Sequence, residues 1–282
     1  MFSRFLKIEI KRTVHRWQTL VALVLFMGIF IHISIMNRRE IPTVDSFPVE
    51  MINELNNPFI NYLNAFSGIS NSYMPLVFPL IILLVVGDSL FLDKSTSYLN
   101  FITCRIDLKK YMKYKILSIS IISFGVTFIF QVFCLIYTFI VSDKCAPTKL
   151  AIENNIAPNI GGNMFIEHPF IYLLIFMFII SLCAMAISII SLISGNISKN
   201  LFAAIAMPWV GYLILGQLLM ILAPQTSVIY SISPITMSSL FIHEDYFNFG
   251  HAILYWVLFG MIFSAISYLV FKKKFNLREK NN

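Results

Sequence analysis

The chain has 282 residues, 58% of them hydrophobic and 12% charged, with a net charge of +7 and a mean hydropathy of +0.78. Soluble domains carry about 25% charged residues, so this composition excludes the ordinary soluble class. Several uncharged runs reach the roughly 20 residues that cross a bilayer, and the ~10-residue alternating segments of a membrane barrel are absent.

The pattern is that of an all-α polytopic membrane protein forming one transmembrane domain. Its basic excess is distributed as for a membrane protein, which argues against a nucleic-acid partner. Of the four cysteines, Cys134 and Cys183 fall in predicted spans, Cys104 in a basic loop and Cys145 in an outside loop. With one cysteine outside and no C-x-x-C spacing, neither a disulfide framework nor a metal or redox site is expected.

Residues 1–17 are basic and amphipathic. A helical projection puts Phe2, Phe5, Leu6, Ile10, Val14 and Trp17 on one side, and Arg4, Lys7, Lys11 and His15 on the other. That suits a helix lying in the membrane interface, with Glu9 intruding on the apolar arc and paired to Arg12 or Arg16. The first span is predicted at 20–36; its apolar run exceeds a signal-peptide core and no cleavage-type site follows. His32, near its outer end, reads as a packing or interface residue. An acidic outside segment follows, with a candidate amphipathic helix at 49–66, and Arg38 and Arg39 are placed at the outer headgroups.

The second span is predicted at 73–92, with Asp88 near its inner edge as a cap or salt-bridge partner of the next loop. The stretch from Asp88 to Lys115 holds six of the 21 Lys and Arg residues. Its middle, Tyr98–Thr103, is a short helical piece fit to dock on something. Asp107 offers a helix N-cap, and Lys109, Lys110, Lys113 and Lys115 are expected at the lipid headgroups.

Spans three to six are predicted at 116–141, 170–193, 201–222 and 251–271. Ser118, Ser120, Ser123, Thr127 and Gln131 in the third are able to hydrogen-bond inside a bundle. The small-residue row Ser181, Ala184, Ser188 and Ser191 in the fourth favours close helix contact. Between spans five and six, residues 228–242 are apolar enough to dip into the outer leaflet as a broken hairpin around Pro234. Such backbone needs burial against protein or a wet cavity. With both termini cytoplasmic, seventeen Lys and Arg fall inside and four outside, the positive-inside bias of a six-span protein.

Motifs for chemistry are missing. There is no P-loop, H-E-x-x-H or G-x-S-x-G, so no catalytic, cofactor or metal residues are assigned. Glu167-His168 and His243-Glu244-Asp245 read as solvated loop residues. Of 35 charged residues (21 basic plus 14 acidic), only Asp88 lies in a predicted span. Ion-coupled transporters place ionisable groups near the midplane, so any work this chain does is expected to draw its energy from another subunit.

The order of these features resembles the permease subunits of ABC-2-type transporters, six-span bacterial exporters. The N-terminal helix looks like their interface helix. Asp93, Ser95-Thr96, the apolar turn at 99–103 and the basic stretch at 105–115 look like their coupling-helix loop, without its frequent Gly and Pro. The 228–242 stretch resembles their re-entrant segment. The resemblance implies a cytoplasmic ABC ATPase, a second permease chain, alike or different, and ATPase contact through Asp93, Tyr98, Leu99, Phe101, Ile102 and Arg105. It also implies residence in the cell membrane. Serine- and aromatic-rich spans without buried charge fit an amphiphilic cargo, such as a lipid-like molecule, a drug or an antimicrobial peptide exported in self-protection. The alternative is a non-transport scaffold or sensor, for which the basic loop is only a lipid anchor.

Overall fold

The computed structural model describes residues 2–39, 56–67, 72–142, 145–149, 160–222, 228–239 and 247–280. All regular structure among them is helical: α1 (Phe2–Val14), α2 (Trp17–Arg39), α3 (Pro58–Ser67), α4 (Met74–Val86), α5 (Ser89–Ser95), α6 (Tyr98–Thr103), α7 (Leu108–Val141), α8 (Gly162–Glu167), α9 (Pro169–Ile197), α10 (Leu201–Ile221), α11 (Val228–Ser231), α12 (Pro234–Ser239) and α13 (Phe249–Lys280). Six stretches are long and apolar enough to cross a membrane: Trp17–Arg38, Met74–Ser95, Leu108–Val141, Pro169–Ile197, Leu201–Ile221 and Phe249–Lys273. The chain is an all-α multi-pass membrane protein.

Two spans differ from the sequence expectation in ways that matter below. The second runs on past residue 92 to Ser95, with a break at Gly87 and Asp88 between α4 and α5. The third begins at Leu108 rather than 116, started by the Asp107 carboxylate, which accepts from Lys109 N at 3.3 Å. At 1.5 Å per residue α7 is about 51 Å long, well beyond a hydrocarbon core of about 30 Å. Its first turns therefore stand at the headgroups or beyond.

The bundle is built around α9. In its apolar stretch 72% of residues are buried, against 22% in α10 and 17% in α13. It packs on α7, α10 and α13, and its row Ser181, Ala184, Ser188 and Ser191 is buried. Small side chains let helix backbones approach closely in lipid, where no hydrophobic drive acts between helices. Gln131 of α7 fastens this seam, donating to Met177 O at 3.2 Å and Ser181 Oγ at 3.1 Å while accepting from Tyr62 OH at 3.1 Å. At the outer end, Arg38 donates to Ser142 Oγ at 2.6 Å, and His32 Nδ1 meets Tyr73 OH at 2.9 Å.

The broken hairpin is present as α11 and α12 on either side of Ser233-Pro234. Every residue of α12 is buried, and the hairpin is fastened to neighbouring spans at Ser233 and Ser238. Ser233 Oγ donates to Gly216 O at 3.0 Å, and Tyr212 OH bridges Pro75 O and Ser238 Oγ. Burial against protein is the condition under which irregular backbone survives at membrane depth. Of the predicted 49–66 helix, α3 covers the C-terminal part. Residues 49–55, the carboxylates Glu40, Asp45, Glu50 and Glu54, residues 240–242 and the His243-Glu244-Asp245 run lie outside the described residues.

A side chain at Gly216 would meet Ile235 Cδ1 at 2.5 Å and Cγ1 at 2.6 Å. Gly216→Ala is therefore expected to destabilise by about 1–3 kcal/mol in detergent thermal unfolding, and Ile235→Ala in the same chain to recover part of the loss. Cys104 is exposed, while Cys134 and Cys183 are buried. A membrane-impermeant maleimide is expected to label Cys104 in inverted vesicles and not in intact cells. The reverse pattern would place the basic loop outside.

Candidate functional site

The helix α1 turns its Phe5, Glu9 and Thr13 toward the bundle. Phe5 sits against the rings of Tyr111 and Tyr114, with centroids 6.0 and 5.9 Å away. This corrects the predicted orientation. The apolar arc seen in projection is divided, because Phe5 packs on protein while Ile10, Val14 and Trp17 are exposed, Trp17 at 73%. The side that meets protein is the one interrupted by Glu9.

Glu9 belongs to a closed ring of four charges. Arg12 Nη1 donates to Glu9 Oε1 at 2.9 Å and Nη2 to Asp93 Oδ1 at 2.8 Å. Lys115 Nζ donates to Asp93 Oδ2 at 2.6 Å and to Glu9 Oε2 at 2.8 Å. Tyr111 OH adds a donor to Asp93 Oδ2 at 2.6 Å. Glu9, Asp93 and Lys115 are buried. Burial disfavours the Arg12 cation, but the Asp93 and Glu9 carboxylates outweigh that and raise its pKa further, so it stays charged.

A second pair lies beside the ring. Arg16 grips buried Asp88 in a two-pronged contact, Nη1 to Oδ1 at 2.8 Å and Nη2 to Oδ2. Asp88 thus answers to the N-terminal segment, not to the loop after span two as the sequence reading expected. Lys94 of α5, half-buried, donates to Gly195 O at 3.0 Å and Asn196 O at 2.8 Å. It supplies a cation to the last carbonyls of α9, which carry partial negative charge. The Cβ position of Gly195 lies 3.3 Å from Phe91 N, so α5 and α9 touch backbone to backbone there.

The short helix α6 follows directly. Its Leu99 and Ile102 face inward, 3% and 8% exposed, while Phe101 is 57% exposed. Arg105 lies over the Phe101 ring at 4.5 Å, and Arg12 over the Tyr98 ring at 4.4 Å, both at cation–π distance. The six residues expected to meet a partner therefore divide. Phe101 and Arg105 look outward, Tyr98 bridges to α1, and Asp93, Leu99 and Ile102 hold the loop to the bundle.

Lys115 also departs from expectation: it is fully buried in the ring rather than at the headgroups with Lys109, Lys110 and Lys113, which are exposed. Sequence reasoning passed over Arg12, Arg16, Tyr111 and Lys115 as site residues. Local signals existed, namely one acid in a basic helix and a lysine one turn from Tyr111 and Ser118 on the buried face. The contacts that tie the N-terminal segment to the bundle, however, join residues 72, 81 and 106 positions apart. Three buried charges sit inside the span segments, Asp88, Asp93 and Lys115, each of them paired and all at one end rather than near the midplane.

Removing one member of such a ring strands its neighbours. Lys115→Met is expected to cost about 3–5 kcal/mol, read as a fall in thermal unfolding temperature in mild detergent. Glu9→Gln added to Lys115→Met is expected to restore part of it, because one uncompensated carboxylate is removed. Equal stability of all three proteins would mean the ring is not formed.

No family model matches the chain, and comparison with curated proteins and with solved structures gives no match.

Proposed function

We propose that this chain is the permease subunit of an exporter driven by a separate cytoplasmic ATPase, of the ABC-2 type that its sequence resembles. The observation that carries the reading is the two-sided character of α6. Its outer side offers an aromatic ring and a guanidinium, while its inner side is clamped to the bundle. Force applied at Phe101 and Arg105 reaches α5 and α7 through Leu99 and Ile102, α1 through Tyr98 and Arg12, and α9 through Lys94. A loop serving only as a lipid anchor has no need of this bracing.

In this reading the ATPase, bound to ATP, favours one arrangement of the bundle over another, and that differential affinity supplies the work. Two permease chains, alike or different, frame the path in the cell membrane. The cargo is amphiphilic, a lipid-like molecule, drug or antimicrobial peptide, since the described interior holds hydroxyls, amides and aromatic rings away from the ionic end.

The test is a mild-detergent pull-down from the native host followed by an ATPase assay. A stoichiometric P-loop partner is expected, lost in Phe101→Asp and Arg105→Glu at unchanged unfolding temperature. Leu99→Asp is expected to lose the partner and stability together, because that residue faces inward. An isolated chain with no ATPase at native expression would sink the exporter reading in favour of a scaffold or sensor.

A further inference from the structure

A cavity of about 200 Å³ lies between α1 and the start of α5, lined by Glu9, Arg12, Thr13, Arg16, Ser89 and Leu92. Its polar character is one-sided. Both Glu9 oxygens are engaged, Oε1 by Arg12 and Oε2 by Lys115 and, at 3.5 Å, by the Ser89 hydroxyl, and the Thr13 hydroxyl donates to Glu9 O at 2.9 Å. The two guanidiniums are different. Each has five N–H donors, and each spends two on carboxylates, Arg12 on Glu9 and Asp93, Arg16 on Asp88. Three donors on each are left without a partner among the described residues.

Both arginines are partly exposed, and both are held in place by buried carboxylates. A guanidinium whose orientation is already fixed loses little freedom when a further acceptor arrives. The ligand that fits two fixed forks with spare donors is a compact group with several acceptor oxygens. The exposed cations Lys7 and Lys11 on the same helix add an attractive field for an anion.

We propose that this cavity binds a phosphoryl group. Its position makes two sources available. Beside it Ile10 and Val14 of α1 and Trp17 at the start of α2 are exposed apolar side chains, the edge a helix in the membrane interface turns to the headgroup region. The same boundary is open to water and so to free phosphate. In either case the bound group spans Arg12 on α1, Arg16 in the turn after it and Ser89 on α5, and fastens the N-terminal segment to the second span. The site stands without the exporter reading, and its test measures neither transport nor ATP hydrolysis.

The experiment is thermal unfolding of the purified full-length chain in a neutral detergent at matched ionic strength. Four samples receive dioctanoyl phosphatidylglycerol, dioctanoylglycerol, inorganic phosphate or chloride. A phosphate-bearing probe at saturation is expected to raise Tm by about 5 °C or more, while dioctanoylglycerol and chloride leave it unchanged. A rise with inorganic phosphate equal to that with the lipid identifies the free anion as the source. A rise confined to phosphatidylglycerol identifies the headgroup. Ser89→Phe fills the cavity, removing the 3.5 Å hydrogen bond to Glu9 but no member of an ion pair, and is expected to abolish the rise. Leu92→Phe narrows it from another wall, so a folding defect in one variant is separable from lost binding. Equal shifts with phosphatidylglycerol and dioctanoylglycerol, no shift with either phosphate probe, or a rise that persists in both variants overturns the proposal.

Discussion

Four charges of alternating sign in a closed ring set the terms for this end of the molecule. Each carboxylate of the ring uses its two oxygens on two different cations, and each cation bridges two carboxylates. Taking an ion out of water costs several kcal/mol even after relaxation, so none of the buried members is tolerable alone. The ring offsets that cost only when all four are in register. Its value lies less in net stability than in specifying one position of α1 against α5 and α7. A shift of α1 by one residue would carry Glu9 and Arg12 about 100° around the helix and break both contacts that join α1 to the ring, Arg12–Asp93 and Glu9–Lys115.

The same helix also shows how three solvents are sorted around one cylinder. Phe5, Glu9, Thr13 and their neighbours meet protein, Ile10, Val14 and Trp17 meet the lipid side, and Arg4, Lys7, Lys11 and His15 meet water. Amphipathic patterning with two faces would fix only the depth of such a helix. A third, ionic face fixes its rotation as well, since turning it would expose Glu9 to lipid. The helix is therefore a structural member of the bundle as well as a membrane anchor.

Much of this was legible in the sequence. The six spans, the N-terminal helix, the Asp107 start of α7, α6 itself and the broken hairpin at Pro234 follow from local runs, caps and breakers. The facing of α6 was half legible. Leu99 and Ile102 are three apart, as are Tyr98 and Phe101, so two sides were implied, but spacing alone does not say which one meets the bundle. Lys115 was misread because it follows three headgroup lysines, although its register places it with Tyr111 and Ser118. The ring itself was not readable, because ion pairing between α1 and residues about a hundred positions later is decided by the packing of whole helices. Composition made α9 apolar, but only the assembled bundle made it central.

The ring also has a history in time. Glu9 leaves the ribosome 106 residues before its partner Lys115, and with it come Arg12 and Arg16, whose acids arrive only with the second span. During that interval Glu9 and Arg12 have only each other among the ring's four members, and Arg16 lacks Asp88. Docking of α1 thus reports that two further spans have been inserted in the correct orientation, since only then do Asp93 and Lys115 emerge on the same side. Seating of α1 is coupled to the placement of the second and third spans, because Arg12, Arg16 and Glu9 meet Asp93, Asp88 and Lys115 only when those residues lie at the same end of the bundle.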